Sequence, residues 1–266
     1  MSEWPEFSSE ASAIWEGNAA FWDETMGADG NDFHRLLVRP ATEQLLEVQP
    51  GQVILDIGCG NGNFSRRLAA LGARVVAIDA SQTMLERAKA HSDEPDRINY
   101  QRLDATDESQ LAALGQGWFD EGVPNLFLMN IPTIEPLLKA ISRLLKPGGC
   151  LVFSVLHPCF MPNGMTRFVE EEDRDGQIIK RHGVKITRYL TPNTAKGLAV
   201  KGQPQAQYYF HRPLNALFRP CFAAGFAIDG LAEPAFNGEI SSERDLSWAN
   251  FKEVPPFLVV RLRLSR

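Results

Sequence analysis

A chain of 266 residues, 44% hydrophobic and 23% charged, is long enough for one large domain or one domain with an inserted cap, and its composition is ordinary for a globular protein. Its formal net charge of −6 gives no electrostatic reason to expect a nucleic-acid or anionic-membrane partner. Cys59, Cys150, Cys159 and Cys221 form no C-x-x-C pair and no metal-ligand spacing, no apolar run approaches a membrane span, and the acidic start at 1–6 lacks an apolar secretory core; a reduced, cytoplasmic protein without a metal is expected.

Residues 9–26 read as an amphipathic helix, with Ile14, Trp15, Asn18, Phe21, Trp22, Thr25 and Met26 recurring at three- and four-residue spacing. A turn-rich break at 27–32 precedes Phe33-His34 and a second helix from about Leu36 to Glu47. Pro50-Gly51 then leads into the first strand.

Val53–Ile57 reads as a buried parallel strand, apolar on both faces because helices would cover both sides of the sheet. It runs into glycines at 58, 60 and 62, and a helical pattern follows. Glycines there let the backbone turn sharply and remove Cβ atoms that would block a ligand. Amide groups and a helix N-terminus then face the space above the strand. A dinucleotide turn of the G-x-G-x-x-G kind would need glycine where Asn63 stands, and Asp56, the acid of the D-x-G-x-G-x-G pattern, would repel a pyrophosphate. A carboxylate at that place suits a ligand carrying an ammonium group.

Residues 64–71 form the first crossover helix, closed by Gly72. The strand Arg74–Asp79 ends in an acid 21 positions after Gly58, about the offset of the carboxylate that binds ribose hydroxyls. A carboxylate only accepts, so it can take both protons of a ribose diol; the alternative for Asp79 is to cap the helix at 81–91. A third strand at 98–103 is followed by Asp104-Ala105. The fourth strand opens at Trp118-Phe119-Asp120, and Asn125 to Asn130 follow in register, but Glu121, Gly122 and Pro124 interrupt it. Proline cannot donate to a ladder, so this strand is either short and bulged or displaced towards 125–129. Residues 133–146 form a helix burying Ile134, Leu137, Leu138, Ile141, Leu144 and Leu145, and Leu145-Lys146-Pro147-Gly148-Gly149 ends it before the fifth strand.

Residues 158–209 depart from the βα alternation. Residues 168–172 and 177–180 pattern as a hairpin through Arg174-Asp175-Gly176, with the acids at 170–173 on a solvated edge. Residues 184–190 are expected to form a third strand there, and 193–205 a loop. His211-Arg212-Pro213-Leu214 starts the last helix with Pro213 in its first turn. Residues 227–234 and Phe257–Leu264 read as a closing antiparallel pair.

Four elements thus arrive in order: the D-x-G-x-G-x-G turn, Asp79 after the second strand, Asp104-Ala105 after the third, and L-K-P-G-G before the fifth. Together they resemble the class I S-adenosylmethionine-dependent methyltransferases, over residues 45–156 and again over 208–264. The resemblance implies an α/β, Rossmann-like three-layer sandwich whose seven-stranded, mostly parallel sheet is ordered 3-2-1-4-5-7-6, with strand seven antiparallel. It implies a single domain: an N-terminal helical lid (1–48), a cofactor-binding core (49–157), an inserted substrate cap (158–209), and a C-terminal helix with the strand pair (210–266). S-adenosylmethionine is the implied cofactor. Gly58, Cys59, Gly60, Asn61 and Gly62 would shape its turn, and Asp56 would hold the methionine ammonium directly or through water. Asp79 would take the ribose, Met84, Asp104 and Ala105 would meet the adenine, and Ala80 and Asn125 would complete the site.

In such enzymes the sulfonium itself activates the methyl group, so no obligatory triad or metal is implied. On the acceptor side, His157 directly follows the fifth strand, either as a general base or as the residue that orders the His157-Pro158 turn. Asn130 is placed to contact the acceptor, and Asn130-Ile131-Pro132 departs from the Pro-Pro-aromatic run of amino-methylating DNA enzymes. Trp15, Trp22 and His34 are candidates to roof the pocket. Tyr208, Tyr209 and His211 either line it or pack beneath it. The implied activity is methyl transfer to an O or N atom of a small acceptor, uncharged or cationic, by a monomer or homodimer. A non-catalytic cofactor-binding protein and another group transfer on the same fold stay open.

Overall fold

The computed structural model describes residues 3–92, 96–237 and 242–265. The central strands β1 (Val53–Ile57), β2 (Arg74–Asp79), β3 (Ile98–Arg102), β4 (Phe119–Val123) and β5 (Leu145–Leu156) run parallel, and β11 (Phe257–Leu264) pairs antiparallel with both β5 and β10 (Phe226–Ala232). The sheet order is β10-β11-β5-β4-β1-β2-β3. Counting only the strands of this sheet, that is the 3-2-1-4-5-7-6 order implied above.

Helices cover both faces, which is why the inner strands are apolar on both. The side chains of β1 alternate: Leu55 and Ile57 enter a core with Phe119, Ile141, Phe153 and Leu262, while Ile54 joins Leu68, Val75, Leu85 and Val259 on the other face. Helix α6 (Glu135–Leu144) contributes to the first layer; α3 (Asn63–Ala70) and α4 (Gln82–Ala90) contribute to the second. The same alternation turns Asp56 towards α3.

The fourth strand is short and bulged. Glu121, Gly122 and Val123 pair with Ile54, Leu55 and Asp56, and the ladder to β5 shifts between Phe119 and Glu121. Residues 125–130 do not continue the strand. Pro124 has no N–H to extend the ladder, Asn125 makes only an isolated bridge to Ser154, and Leu126 adopts a left-handed φ of 48°. The Leu126 N–H donates to Ser154 Oγ at 2.8 Å and bends the chain over the sheet edge.

Two hairpins lie outside the main sheet. Strands β6 (Thr166–Arg174) and β7 (Gln177–Lys185) pair through the expected turn, and β8 (Asn193–Gly197) pairs with β9 (Gln207–His211). The expected strand at 184–190 is not formed: β7 ends at Lys185. Part of the expected loop at 193–205 is instead β8. That strand is polar and only half buried, so it lacks the apolar alternation that marks a strand, and its partner supplies the burial. Pro213 is the residue before α7 (Leu214–Ala223) rather than part of its first turn.

A buried arginine fixes the segment after β4. Arg212 donates to the carbonyls of Leu128 (3.0 Å), Ile131 (3.1 Å) and Pro132 (2.8 Å), and its guanidinium lies 5.2 Å from the Trp4 ring centre. Glu3 stands 3.6 Å away and accepts the Ile134 N–H at the start of α6. Burial pushes the Arg212 pKa down to about 10, so it stays charged at neutral pH. Replacing Arg212 with Met would orphan three buried carbonyls, and urea unfolding should show a loss of about 3 kcal/mol or more.

Glu121 is the strained acid of the sheet. It is 6% exposed and its Oε2 has no partner. Burial, with Asp120 adjoining, pushes its pKa up to about 7 against the opposing pull of Arg261 and Arg263. The folded state therefore keeps this proton where the unfolded chain has lost it, and stability falls as pH rises from about 4.5 to about 7. Glu121→Gln should accordingly stabilise the protein by roughly 2–3 kcal/mol at pH 8 and by almost nothing at pH 4.5, as read from denaturation midpoints across pH.

Candidate functional site

A cavity of about 790 Å³ opens at the C-terminal ends of the parallel strands, where α/β sheets bind ligands. Its floor is the glycine turn after β1. The Gly58 and Cys59 N–H groups both donate to Ile78 O, at 2.8 and 3.0 Å, and pin the turn to β2. The three glycines have different reasons. A Cβ at Gly58 would lie 2.2 Å from the Phe127 ring, and one at Gly62 would lie 2.4 Å from the Tyr100 hydroxyl, whereas nothing stands within 4 Å at Gly60. Protein fills the first two spaces, and the third is open. Gly58 and Gly60 line the cavity, together with Cys59, Asn61 and Asn63; Gly62 does not.

Asp79, at the end of β2, lines the cavity, and Ser81 rather than Asp79 caps the helix that follows. Its Oδ2 accepts the Gly60 N–H and its Oδ1 accepts the Ser81 N–H, each at 2.9 Å. Burial raises its pKa against the pull of these two donors, and Glu16 adds to the rise. Asp56 is 2% exposed and accepts a hydrogen bond of 2.5 Å from Ser65 Oγ on α3. Burial pushes its carboxyl up to about 7, and the nearby Asp79 adds to the rise. Ala80, Met84, Asp104 and Ala105 line the same end; Asp104 Oδ1 accepts both the N–H and the hydroxyl of Thr106. Burial raises the Cys59 thiol well above its usual range.

The roof is α1 (Ser8–Met26), which carries Trp15, Trp22 and Met26 into the cavity lining. Asp23, 6% exposed, holds it down by accepting from Asn61 Nδ2 (3.1 Å), Arg87 (2.7 Å) and His91 Nε2 (2.8 Å). Burial works to raise the Asp23 pKa, but hydrogen bonds from Arg87, Asn61 and His91 outweigh it and hold the carboxyl below its usual range. One turn pair earlier on the same face, Glu16 accepts the Thr83 hydroxyl at 2.6 Å. Sequence reasoning missed both acids. Their seven-residue spacing, beside Trp15 and Trp22 at the same interval, was the available signal.

The acceptor candidates separate sharply. Strand β9 alternates, so Tyr209 lines the cavity while Tyr208 packs on Phe7 and donates its hydroxyl to Glu10 at 2.7 Å. His211 donates from Nε2 to Tyr189 O and borders a smaller adjoining cavity. His157 lies outside the lining: its Nδ1 accepts the Cys159 N–H and its Nε2 donates to Glu233 at 2.8 Å. Both ring nitrogens are thus engaged in ordering the turn, which corrects the general-base expectation for this residue. Asn130 lines the cavity with its Nδ2 on Leu126 O, and its buried Oδ1 has no protein partner. Asn125 also lines it, its Oδ1 accepting from Thr42 and Ser154 hydroxyls.

His34 lines the cavity from a π-helical turn at His34–Val38. Asn31 Oδ1 accepts both the His34 N–H (3.2 Å) and Nδ1 (3.0 Å), which places the ring proton on Nδ1 and leaves Nε2 with a lone pair. Burial, with Arg39 beside it, pushes the His34 pKa down to about 4, so the ring is neutral at pH 7. Arg39, Asn163, Arg167, Gln207 and Trp248 line the cavity as well and were not anticipated. They sit in segments whose patterns carry no motif.

Residues 55–153 match the family described as a methyltransferase domain. The ubiquinone biosynthesis O-methyltransferase of Xanthomonas campestris pv. campestris is 38% identical over 109 residues, which cover 41% of this chain and 44% of that protein. The protein of the same name from Colwellia psychrerythraea is 39% identical over 105 residues, covering 39% and 42%. The chain thus spans less than half the length of these curated relatives. A crystal structure of an S-adenosylmethionine dependent methyltransferase from Mesorhizobium loti matches over 84% of this chain and 96% of that one, at 29% identity and a TM-score of 0.66. Residues 55–153 are a class I S-adenosylmethionine-dependent methyltransferase domain.

The residues present fit the cofactor of this methyltransferase domain. The open space at Gly60 lets a ligand approach the backbone, Asp56 and Asp79 supply acceptors, and Met84, Leu103 and Ala105 supply an apolar wall. Among the described residues no cluster suited to a metal ion occurs, and no helix is long and apolar enough to cross a membrane. An ammonium brought to Asp56 favours its ionised form, so a proton is released on binding wherever Asp56 was protonated beforehand. S-adenosylhomocysteine binding at pH 6 should therefore release up to about one proton, falling towards zero at pH 8, in calorimetry across buffers of different ionisation enthalpy; Asp56→Asn should remove that release.

Proposed function

We propose that the chain transfers the methyl group of S-adenosylmethionine to an oxygen of a small, ring-bearing acceptor. The observation that carries this is one continuous cavity with two unlike ends. Among the described residues, the end at the glycine turn holds the lining carboxylates Asp56, Asp79 and Asp104, and the other end, with apolar and aromatic side chains such as Phe33, Met129, Met161 and Tyr209, has none. The cationic acceptor allowed by the sequence finds no counter-charge there. The names of the Xanthomonas and Colwellia relatives support oxygen as the acceptor atom.

In this reading the cofactor supplies an electrophilic methyl group on a positive sulfur. Asp79 takes the ribose hydroxyls, Asp56 meets the ammonium, and Met84 with Asp104 and Ala105 holds the adenine. Arg39, beside the Ala28–Asn63 contact at the start of α3, offers a cation to the methionine carboxylate. Trp22, whose buried Nε1 lacks a protein partner, donates a hydrogen bond to the bound ligands. Asn130 Oδ1 accepts from the acceptor hydroxyl and orients it. His34 Nε2, neutral and carrying its lone pair, takes the hydroxyl proton as the oxygen attacks. Helix α1 and the two hairpins at 158–209 close the site to water, as lid and cap.

Titration with S-adenosylhomocysteine tests the reading. The wild type should bind at micromolar concentration, and Asp79→Asn should weaken binding at least about tenfold through loss of charge-assisted bonds of about 1.5–3 kcal/mol. Failure of the wild type to bind would overturn the assignment.

A further inference from the structure

The acceptor end of the cavity contains a cation that has no counter-ion among the described residues. Arg167, on β6, lines the cavity and is half buried. Among the described residues no carboxylate lies within ion-pair distance of it, although this chain pairs most of its other half-buried arginines: Arg87 with Asp23, and Arg261 with Asp229. Its Nη1 donates to Leu246 O, and its guanidinium carbon stands 5.3 Å from the Trp248 ring centre. Both contacts hold the group in place and leave its charge uncompensated. Its Nε and Nη2 make no hydrogen bond to described residues, so the flat edge that grips a carboxylate side-on stays available. Burial and the neighbouring Arg244 both lower its pKa, which is the cost of holding a guanidinium here.

The position of this group matters as much as its charge. Trp248 packs against the cluster of Leu37, Val38, Phe236 and Phe257, the same cluster that Leu126 and Leu156, just past β4 and at the end of β5, pack against. Arg167 therefore stands at the end of the cavity away from Asp56 and Asp79. Among the described residues no lining carboxylate competes for it there.

We propose that the acceptor is an apolar ring compound bearing a carboxylate, and that Arg167 reads that carboxylate with its Nε–Nη2 edge while Trp248 packs on the ring beside it. This rests on the methyltransferase reading and deepens it, naming the acceptor as an anion and Arg167 as a specificity-determining residue. The carboxylate and the methylated oxygen then sit at opposite ends of the acceptor.

Three naphthalene probes test the proposal: 2-naphthoate, its isosteric neutral amide 2-naphthamide, and the cation 2-naphthylmethylammonium. Each is titrated calorimetrically into the S-adenosylhomocysteine complex. The wild type should bind the carboxylate at least about tenfold more tightly than the amide, and the ammonium least tightly. Arg167→Gln should abolish the difference between carboxylate and amide, with affinity for S-adenosylhomocysteine and for the amide unchanged. Arg167→Lys should retain part of the preference, keeping the charge without the fork. Arg167→Glu should invert the order in favour of the ammonium. Equal binding of carboxylate and amide by the wild type, a preference that survives in Arg167→Gln, or binding of neither probe would overturn the proposal. If S-adenosylhomocysteine itself fails to bind, the methyltransferase assignment falls. The same comparison of naphthoate with naphthamide on the cofactor-free protein then decides the role of Arg167 by itself.

Discussion

The site depends first on one buried carboxylate. Asp23, on α1, gathers donors from the glycine turn (Asn61) and from the end of α4 (Arg87, with His91 just past it), so that three segments distant in sequence meet at one carboxylate. A charge so placed is tolerated only because all its partners are present at once. The geometry of each partner is therefore tied to that of the others. Glu16, on Thr83, and Asn18, on the Gln205 backbone, tie other points of α1, but Asp23 is its side-chain link to the glycine turn itself. With it, Trp15 and Trp22 are held above the turn, and a groove at a sheet edge becomes an enclosed cavity.

Two acids on one face of the sheet show what function costs in such a fold. Asp56 and Glu121 point to the same side, the first towards the ligand end of β1 and the second towards the opposite end of β4. Each is buried with too few donors, and each has its pKa pushed up to about 7. In the proposed reading, Asp56 gains a partner when the ammonium of the cofactor arrives. Glu121 makes no ion pair with Arg261 or Arg263, whose charges only partly offset its burial, and it is not among the residues lining the cavity. Tolerating one such acid for binding is ordinary; a second, in the neighbouring strand, makes the sheet more sensitive to pH than its apolar core suggests.

The βα core was legible in the sequence because its signals are local. A strand buried on both faces, a turn that needs glycine, and an acid at each strand end are written in consecutive residues. Order and register follow from right-handed crossovers. The interrupted fourth strand was also readable, since proline leaves few alternatives, and Pro124 lies just past its last residue. The hairpins were less so. Strand β8 has a polar sequence because its ladder and its partner's aromatics, not its own side chains, define it. The acceptor residues were hardest to read. His157 has the better position in sequence, directly after β5, yet its ring is spent on Cys159 and Glu233. His34 lies in a break with no motif, and only the fold shows that Asn31 fixes its tautomer.

Strand β9 carries a further consequence. Tyr208 and Tyr209 are consecutive, yet one packs against the N-terminal segment and the other reaches the cavity, because successive residues of a strand face opposite ways. Their assignment is set by the pairing of Tyr209 with Ala195 and of Tyr208 with Lys196 across the hairpin. A slip of one position would exchange the faces, turning Tyr208 and Phe210 inward and Gln207 and Tyr209 out of the cavity. The connection at 198–206 can therefore vary in length between related chains without altering the pocket, provided the ladder keeps its phase. Where that phase changes, the lining changes with no substitution in the cavity wall, so divergence in acceptor preference among relatives can arise from insertions in a surface loop.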